Sequence, residues 1–291
     1  MAQSALIRAF FDEATNTVSY LVIDPDTMQA AAIDPVLDYD HRSGEFSTQS
    51  ADAMVAAARA EGAAIVKVLE THVHADHLSA APHIKALTGA TVCIGEHVSA
   101  VQKIFQPVFN LESLSCRGAE FDELYHDGQE FLLGALPVRV LHTPGHTPAC
   151  VSYLIGDAVF VGDTLFMPDY GTARADFPGG DARVLYQSIR RLLALPPATR
   201  VFTCHDYKAP GRDFYAWEST VQAQRSGNVH VRDGVGQDEF VAMRTQRDAG
   251  LQAPALLLPS LQVNLRAGGL PQAEDNGIRY LKIPMRAASA S

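Results

Sequence analysis

Residues 71–79, THVHADHLS, place three histidines and an aspartate within the six positions from His72 to His77. This segment directly follows AIVKVLET at 64–71, an apolar and β-branched run that is typical of a strand covered on both faces. Holding four such side chains together costs desolvation and mutual repulsion unless a cation compensates. The sequence therefore predicts a central buried strand with a metal site at its carboxyl end. Lys67, inside that strand, should reach solvent or meet a carboxylate.

Three further predicted strands, at 136–141, 157–162 and 199–203, are also followed by a histidine or an aspartate. Side chains leave a sheet at strand ends without being buried, so chemistry concentrates there. Each of these three residues alone would be an ordinary turn or core residue, but the whole set indicates that these strand ends meet at one edge of the fold, which we call the rim. The seven candidate metal ligands are His72, His74, Asp76, His77, His146, Asp163 and His205. The remaining histidines match no such arrangement and are interpreted as surface or core residues: His41, His83, His97, His126, His142 and His230.

The whole chain, residues 1–291, is interpreted as one catalytic domain with a C-terminal extension from about residue 208. Helical patterns with glycine or proline stops predict helices at 50–62, 77–89, 181–195, 213–225 and 238–249. The tail beyond them reads as proline- and glycine-rich coil, and its apolar runs make a homodimer an expectation. No internal repeat or low-complexity tract divides the chain.

Composition narrows the classes of function. The net charge of −10 argues against nucleic acid and anionic membranes as partners. The apolar runs are too short to span a bilayer, and the N-terminal residues lack a secretory or transit pattern, so we expect a cytoplasmic protein. The four cysteines form no C-x-x-C pair and lie outside the metal-ligand motifs, which favours buried thiols in a reducing compartment.

The motifs H-x-H-x-D-H, TPGHT, GD and HD follow one another in an order that resembles the metallo-β-lactamase superfamily. The resemblance runs from the N-terminal hairpin to about Tyr207. It implies an α/β protein, the αββα sandwich, with the metal site at the edge of the two sheets. In the hydrolase branches such a set binds two metals. Carried over, the first metal would use His72, His74 and His146, the second Asp76, His77 and His205, and Asp163 would bridge them.

The segment after Asp163 is more similar to the persulfide dioxygenases, also called sulfur dioxygenases. Residues 174–177 resemble their G-x-R-x-D-F signature, although the preceding loop is slightly longer, and HDYK at 205–208 resembles their HDY signature. The tail at 256–271 looks like that of the bacterial members rather than a thioester-binding helical domain. The resemblance implies oxidation of glutathione persulfide by O₂ to sulfite and glutathione, in sulfide and persulfide detoxification.

This branch implies one Fe(II) per chain, bound by two histidines and one carboxylate that leave three positions open. The implied iron ligands are His72, His146 and Asp163, and the residues outside the first coordination sphere are His74, Asp76, His77 and His205. The main alternative is a glyoxalase II-like hydroxyacylglutathione thioesterase with two metals. A metal-dependent sensor without turnover is a third class, which the completeness of the ligand set disfavours.

Arg174 and Tyr207 are the candidate substrate-binding residues. An arginine can bind a glutathione carboxylate in bidentate fashion, although Arg174 can equally form a structural ion pair with Asp176. Tyr207 can donate a hydrogen bond to the substrate or pack at the rim. For the distal carboxylate the sequence offers three further arginines without choosing among them: Arg225, Arg232 and Arg266.

Overall fold

The computed structural model describes residues 4–285 and contains two six-stranded sheets packed face to face. The strands in chain order are β1 (Leu6–Asp12), β2 (Thr17–Ile23), β3 (Gln29–Ile33), β4 (Val36–Asp40), β5 (Glu45–Ser47), β6 (Ala64–Leu69), β7 (Leu78–Ser79), β8 (Thr91–Gly95), β9 (Glu123–Tyr125), β10 (Glu130–Leu133), β11 (Leu136–His142), β12 (Val151–Ile155), β13 (Ala158–Phe160), β14 (Arg200–Phe202) and β15 (Glu218–Thr220). The first large sheet has the order β1-β2-β3-β6-β8-β9 and the second runs from β10 to β15 in sequence, while β5, β4 and β7 form a small third sheet.

Helices cover the outer faces of both large sheets, which makes the predicted αββα sandwich. They are α1 (Gln49–Ala60), α2 (Ala81–Thr88), α3 (Val98–Phe109), α4 (Ala182–Leu193), α5 (Val221–Gly227), α6 (Gln237–Asp248) and α7 (Leu257–Asn264). Helices α1 to α3 and α7 share one apolar core with the first sheet, and α4 and α6 share another with the second sheet. Between the sheets, alternate side chains of both pack together, including Tyr20, Tyr153 and Phe160.

The prediction for the strand before the histidine motif is confirmed. β6 lies between β3 and β8 and pairs in parallel with both, and its side chains enter the cores on both faces of the sheet. Lys67 is the exception that the sequence marks, and its Nζ lies 2.6 Å from Glu123 Oε1 at the sheet surface. The carboxyl end of β6 therefore delivers the motif from a rigid, doubly covered strand.

Two predicted helices differ from the structure. The helix expected at 77–89 ends at Gly89 in a left-handed conformation as predicted, but it begins only at Ala81 because Leu78–Ser79 pairs with β4. The helix expected at 213–225 is wrong, since β15 pairs with β14 and α5 starts only at Val221. Helix α7 lies where we expected coil. Pro259 does not prevent this helix, because it stands in the first turn, where the helix needs no backbone N–H donor.

The chain after residue 208 is built into the same body as the rest. It supplies β15 to the second sheet, α6 packs on α4, and α7 packs on β7. Within the described part of the chain, no helix is both long enough and apolar enough to cross a membrane.

Candidate metal centre

The strand ends that the sequence singles out converge on one rim. His72 to His77 follow β6 of the first sheet, whereas the other three residues follow β11, β13 and β14 of the second. Two glycines allow this convergence. Gly145 has φ +135° and lies so close to the α4 backbone that a Cβ would fall 2.3 Å from Leu185 Cα, and a Cβ on Gly162 would fall 2.6 Å from Thr71 Oγ1. The structure brings all seven predicted residues together, in groups whose possible ligand atoms lie within 4.8 Å of one another.

The first group consists of His72, His146 and Asp163. The Nε2 atoms of His72 and His146 lie 4.0 and 3.7 Å from Asp163 Oδ2, which is too far for a hydrogen bond. Two ligands at about 2.1 Å from one ion are roughly 3 Å apart at a right angle and about 4 Å apart when opposite. The separations therefore fit three groups that face a common ion.

Hydrogen bonds fix which nitrogen of each of these histidines is free. His146 Nδ1 donates to the carbonyl oxygen of Arg174 at 2.9 Å, which leaves the Nε2 lone pair for a metal. His72 Nδ1 lies 3.0 Å from Thr71 Oγ1, whose own hydrogen goes to Asp34 Oδ2 at 2.8 Å. The Thr71 hydroxyl must therefore accept from His72, so His72 also presents an Nε2 lone pair. Burial, and then the neighbouring His74, hold the pKa of His72 well below its usual value, consistent with a neutral ring.

The second group consists of His74, Asp76, His77 and His205. His205 Nε2 lies 3.1 Å from Asp76 Oδ2 and 3.4 Å from Asp163 Oδ1, so the Asp163 carboxylate faces both groups through different oxygens. Among residues 4–285, the buried polar atoms without a hydrogen-bond partner include His74 Nδ1, His77 Nε2, His205 Nε2 and Asp163 Oδ1. Buried polar atoms are normally satisfied, so this concentration of unpaired acceptors and imidazoles fits a cation site.

The charges of the second group follow from burial and its carboxylates. Burial lowers the pKa of His77 to about 4. Burial acts in the same direction on His205, but Asp76 and Asp163 outweigh it and raise its pKa. Burial raises the pKa of Asp76, but His205 and His77 outweigh it, so the carboxyl stays ionised. Burial also lowers the pKa of His74, but Asp34 and Glu70 outweigh it and raise that pKa well above its usual value. Carboxylates thus surround the imidazoles of this group, and a divalent cation can take the place of the protons that they favour on His74 and His205.

Asp34 is a site residue that the sequence analysis missed. Its buried carboxylate accepts from Thr71 N–H at 2.7 Å, Thr71 Oγ1 at 2.8 Å and His74 Nε2 at 2.9 Å. It is therefore the common anchor behind His72 and His74. A local signal for Asp34 exists, because it stands directly after β3, as Asp163 stands after a predicted strand.

Asn264 was also missed and holds the same loop from the other side. Its Nδ2 donates to the carbonyls of His74 at 2.9 Å and His77 at 2.8 Å, and its Oδ1 accepts from Ser79 N–H at 2.8 Å. The residue is buried at the end of α7, almost two hundred positions after the motif. No local pattern marks it, since only the tertiary fold brings α7 to this loop.

The expectation that no cysteine lies at the cluster is wrong in one respect. Cys204 Sγ lies within 4.8 Å of possible ligand atoms of Asp163 and His205. Burial and the nearby Asp34 raise the pKa of this thiol well above its usual value, and its Sγ lies 3.7 Å from Asp34 Oδ2. A protonated thiol is a poor ligand, so Cys204 is best described as a packing neighbour of the site.

A cavity of about 890 Å³ opens onto the rim. Of the seven residues, it exposes His72, Asp76, His146 and Asp163, whereas His74, His77 and His205 have no exposed surface. Phe166, Phe177, Leu251 and Leu257 give it apolar walls. Its size and mixed lining are those of a site for a small organic molecule.

Both predicted substrate-binding residues line this cavity. Arg174 Nε and Nη2 donate to the two carboxylate oxygens of Asp176, each at 2.6 Å, and Nη1 donates to Gln252 O at 2.7 Å. The structural ion pair is thus present, with one N–H on each terminal nitrogen still available. Tyr207 is 41% exposed, and its ring is nearly parallel to that of His205 at 5.7 Å.

The three distal arginines offered by the sequence do not line the cavity. Arg225, for example, binds Asp233 at 2.9 Å on the surface. Arg42 and Arg247 line it instead, and within the described residues neither side chain has a carboxylate within 4 Å. They are the cationic groups at the cavity that remain free to bind an anion.

The sequence profile of the metallo-beta-lactamase superfamily matches residues 14–205, and the chain belongs to that superfamily. It is 55% identical to a "Probable metallo-hydrolase" of Burkholderia pseudomallei, over 97% of this chain and 99% of that protein. It is also 48% identical to "Glyoxylase B2" of Dictyostelium discoideum, over 98% of each.

The persulfide dioxygenase branch is supported by a solved structure and by more distant relatives. The crystal structure of ETHE1 from Myxococcus xanthus matches with a TM-score of 0.73 and 30% identity, over 91% of this chain and all of that one. The human mitochondrial protein named persulfide dioxygenase ETHE1 is 26% identical over 90% of this chain and 89% of its own length. The fold and the branch resemblance thus agree with the sequence motifs.

Proposed function

We propose that this protein is a persulfide dioxygenase that converts glutathione persulfide, O₂ and water to glutathione, sulfite and two protons. One Fe(II) per chain would be bound by His72, His146 and Asp163. The observation that carries this assignment is the direction of access. The cavity opens onto these three residues and Asp76, whereas His74, His77 and His205 lie buried behind them. A substrate entering the cavity therefore meets the complete triad but only one residue of the second group.

The residues fit the ion that this function needs. Two imidazoles with free Nε2 atoms and one carboxylate form the neutral-nitrogen and oxygen donor set that suits non-haem Fe(II). Fe(II) would supply a site where the persulfide sulfur and O₂ bind side by side and exchange electrons. His74, Asp76, His77 and His205 would orient the ligands and hold the local charge.

The chain itself would bind and orient the substrate. Glutathione carries two carboxylates, and Arg42 and Arg247 line the cavity with unpaired guanidinium groups. Phe177 packs 5.8 Å from the His146 ring and gives the inner cavity an apolar wall that excludes water from the sulfur. Arg174 would add its remaining N–H groups near the reacting end, held in place by Asp176.

A second candidate function is a thioester hydrolase with two metals, as in glyoxalase II. It is favoured by Asp163, whose Oδ2 faces the first group of ligands and whose unpaired Oδ1 faces the second. The names of the relatives at 55% and 48% identity, a metallo-hydrolase and a glyoxylase, also favour a hydrolase. On this reading all seven residues would bind metal, and Asp163 would bridge.

Metal analysis and two assays on the same preparation separate the candidates. Protein purified without oxygen should contain about one iron per chain and consume O₂ when glutathione persulfide is added. It should hydrolyse S-lactoylglutathione slowly or not at all. Two metals per chain with fast hydrolysis and no persulfide-dependent O₂ uptake would overturn the dioxygenase assignment in favour of the hydrolase.

Arg174→Ala tests the proposed substrate contact against the observed ion pair. If Arg174 binds the substrate, the variant should show a raised KM, while the melting temperature changes little because the pair with Asp176 is partly exposed. Asp176→Ala is the matched control, since it breaks the same pair but keeps the guanidinium. A lower melting temperature with unchanged KM in both variants would make Arg174 structural.

A further inference from the structure

Helix α6 holds the segment that follows Asp163 through a buried ion pair. Arg244 and Asp248 are 2% and 6% exposed, and their side chains meet at 2.6 Å between Arg244 Nη2 and Asp248 Oδ1. Arg244 Nη1 also donates to Thr172 O at 3.1 Å, and Asp248 Oδ2 accepts from Ala175 N–H at 2.8 Å. Both members of the pair thus continue into the loop at 172–175.

The contact to Ala175 reaches the metal centre through one peptide group. The N–H of Ala175 and the C=O of Arg174 belong to the same planar unit, and that C=O accepts from His146 Nδ1 at 2.9 Å. The peptide plane is therefore held at one end by Asp248 and holds His146 at the other. Because bonded dipoles in series polarise each other, the charged carboxylate strengthens the bond to the imidazole.

We propose that Arg244 and Asp248 are positioning residues for His146. They fix the 174–175 peptide so that the His146 ring keeps its hydrogen on Nδ1 and presents the Nε2 lone pair to the metal position that Asp163 also faces. The proposal rests on His146 as a metal ligand, which both candidate functions share. Without the pair, the peptide can rotate and the His146 ring gains freedom in tautomer and orientation.

The energetics of buried pairs favour this role over a purely stabilising one. A buried ion pair adds little net stability, and replacement of both members by apolar residues of similar volume is often neutral, whereas loss of one member is costly. The double substitution Arg244→Met and Asp248→Leu is therefore the decisive variant, because it can keep the fold while it removes the anchor of the peptide. Asp248→Asn is a milder second variant that keeps the shape of the side chain.

Asp238→Ala is the matched control, because it breaks an ion pair of the same helix, with Arg183 at 3.0 Å, that is exposed to solvent. The first measurement is the nitrogen chemical shifts of the His146 ring in metal-free protein, which report its tautomer. The second is the dissociation constant for Fe(II) measured without oxygen.

The double variant should mix the His146 tautomers and weaken metal binding about 10–100-fold, the range typical of groups that orient a ligand. Asp248→Asn loses the charge but keeps an acceptor for Ala175 N–H, so it should shift both measurements in the same direction by less. The control should match the wild type in both measurements. A single Nδ1–H tautomer with unchanged metal affinity in a folded double variant would overturn the proposal. If wild-type protein shows the single Nδ1–H tautomer but binds no metal at all, the result would instead count against the proposed function.

Discussion

Asp34→Ala removes the carboxylate that anchors His72, through Thr71, and His74. Three strong hydrogen bonds to a buried charge disappear, from Thr71 N–H, Thr71 Oγ1 and His74 Nε2, together with the weaker one from the Cys204 thiol. Thr71 N–H is left without an acceptor. Hydrogen bonds to charged groups contribute about 1.5–3 kcal/mol each, but the variant also avoids desolvating the carboxylate. Loss of one member of a buried charge network typically costs about 3–5 kcal/mol, which is the expected decrease in the free energy of unfolding.

The variant should also weaken metal binding. The Thr71 hydroxyl, no longer donating to Asp34, can donate to His72 Nδ1, which would move the ring hydrogen to the nitrogen meant for the metal. Urea unfolding of metal-free protein gives the stability change, and metal titration should show roughly a 10–100-fold loss of affinity.

Asp52→Ala is the control for Asp34→Ala, because Asp52 also binds a histidine, His83 Nε2 at 2.7 Å, but on the surface. Surface pairs of this kind contribute about 0–1 kcal/mol, so its unfolding curve should stay close to that of the wild type. Equal stability losses in Asp34→Ala and Asp52→Ala, or unchanged metal affinity in Asp34→Ala, would refute the anchoring role.

Three further predictions follow from the site. Asp163→Ala removes the only anion of the proposed iron set and should abolish iron binding and O₂ uptake, whereas Asp76→Ala should keep the iron and lose about 10–100-fold in rate; equal iron loss in both would contradict the assignment. Arg247→Ala should raise KM for glutathione persulfide roughly tenfold in steady-state kinetics, while Arg225→Ala, whose guanidinium is paired outside the cavity, should not. Burial and nearby arginines lower the pKa of His230 to about 4, below its value near 6.5 in an unfolded chain, so the stability it contributes is complete above about pH 6.5 and is lost as the pH falls towards 4. Across this pH range, the free energy of unfolding measured with urea should depend less on pH in His230→Gln than in the wild type. An equal pH dependence of the two proteins would argue against this role of His230.

Features with a strong local pattern were predictable from the sequence. The apolar run at 64–71 predicts the central strand β6, and Lys67 meets Glu123 as its position in that strand requires. Gly89 predicts the end of α2. The histidines and aspartates that follow four predicted strands predict a single ligand cluster, because the strand ends of packed sheets lie at common edges. The fold and the membership of the ligand cluster depend on such short-range signals.

Most of the groups that orient the ligands were not predictable in this way. Asp248 and Asn264 carry no local signal and reach the site through partners far away in the sequence, whereas Asp34 stands directly after a strand, like Asp163, and could have been found by the same rule. The failed helix at 213–225 has the same cause, because pairing of β15 with β14 overrides local helical pattern. Which arginines line the cavity depends on which loops border it, and periodicity does not encode that.

The anchoring of the histidine loop by Asn264 has a consequence for synthesis on the ribosome. All seven candidate ligands leave the ribosome before α6 and α7 do, since translation proceeds from the N-terminus. A nascent chain therefore carries the ligands while the carbonyls of His74 and His77 still lack their Asn264 partner. Capture of the ion in its mature geometry then becomes one of the last events in the biogenesis of the protein.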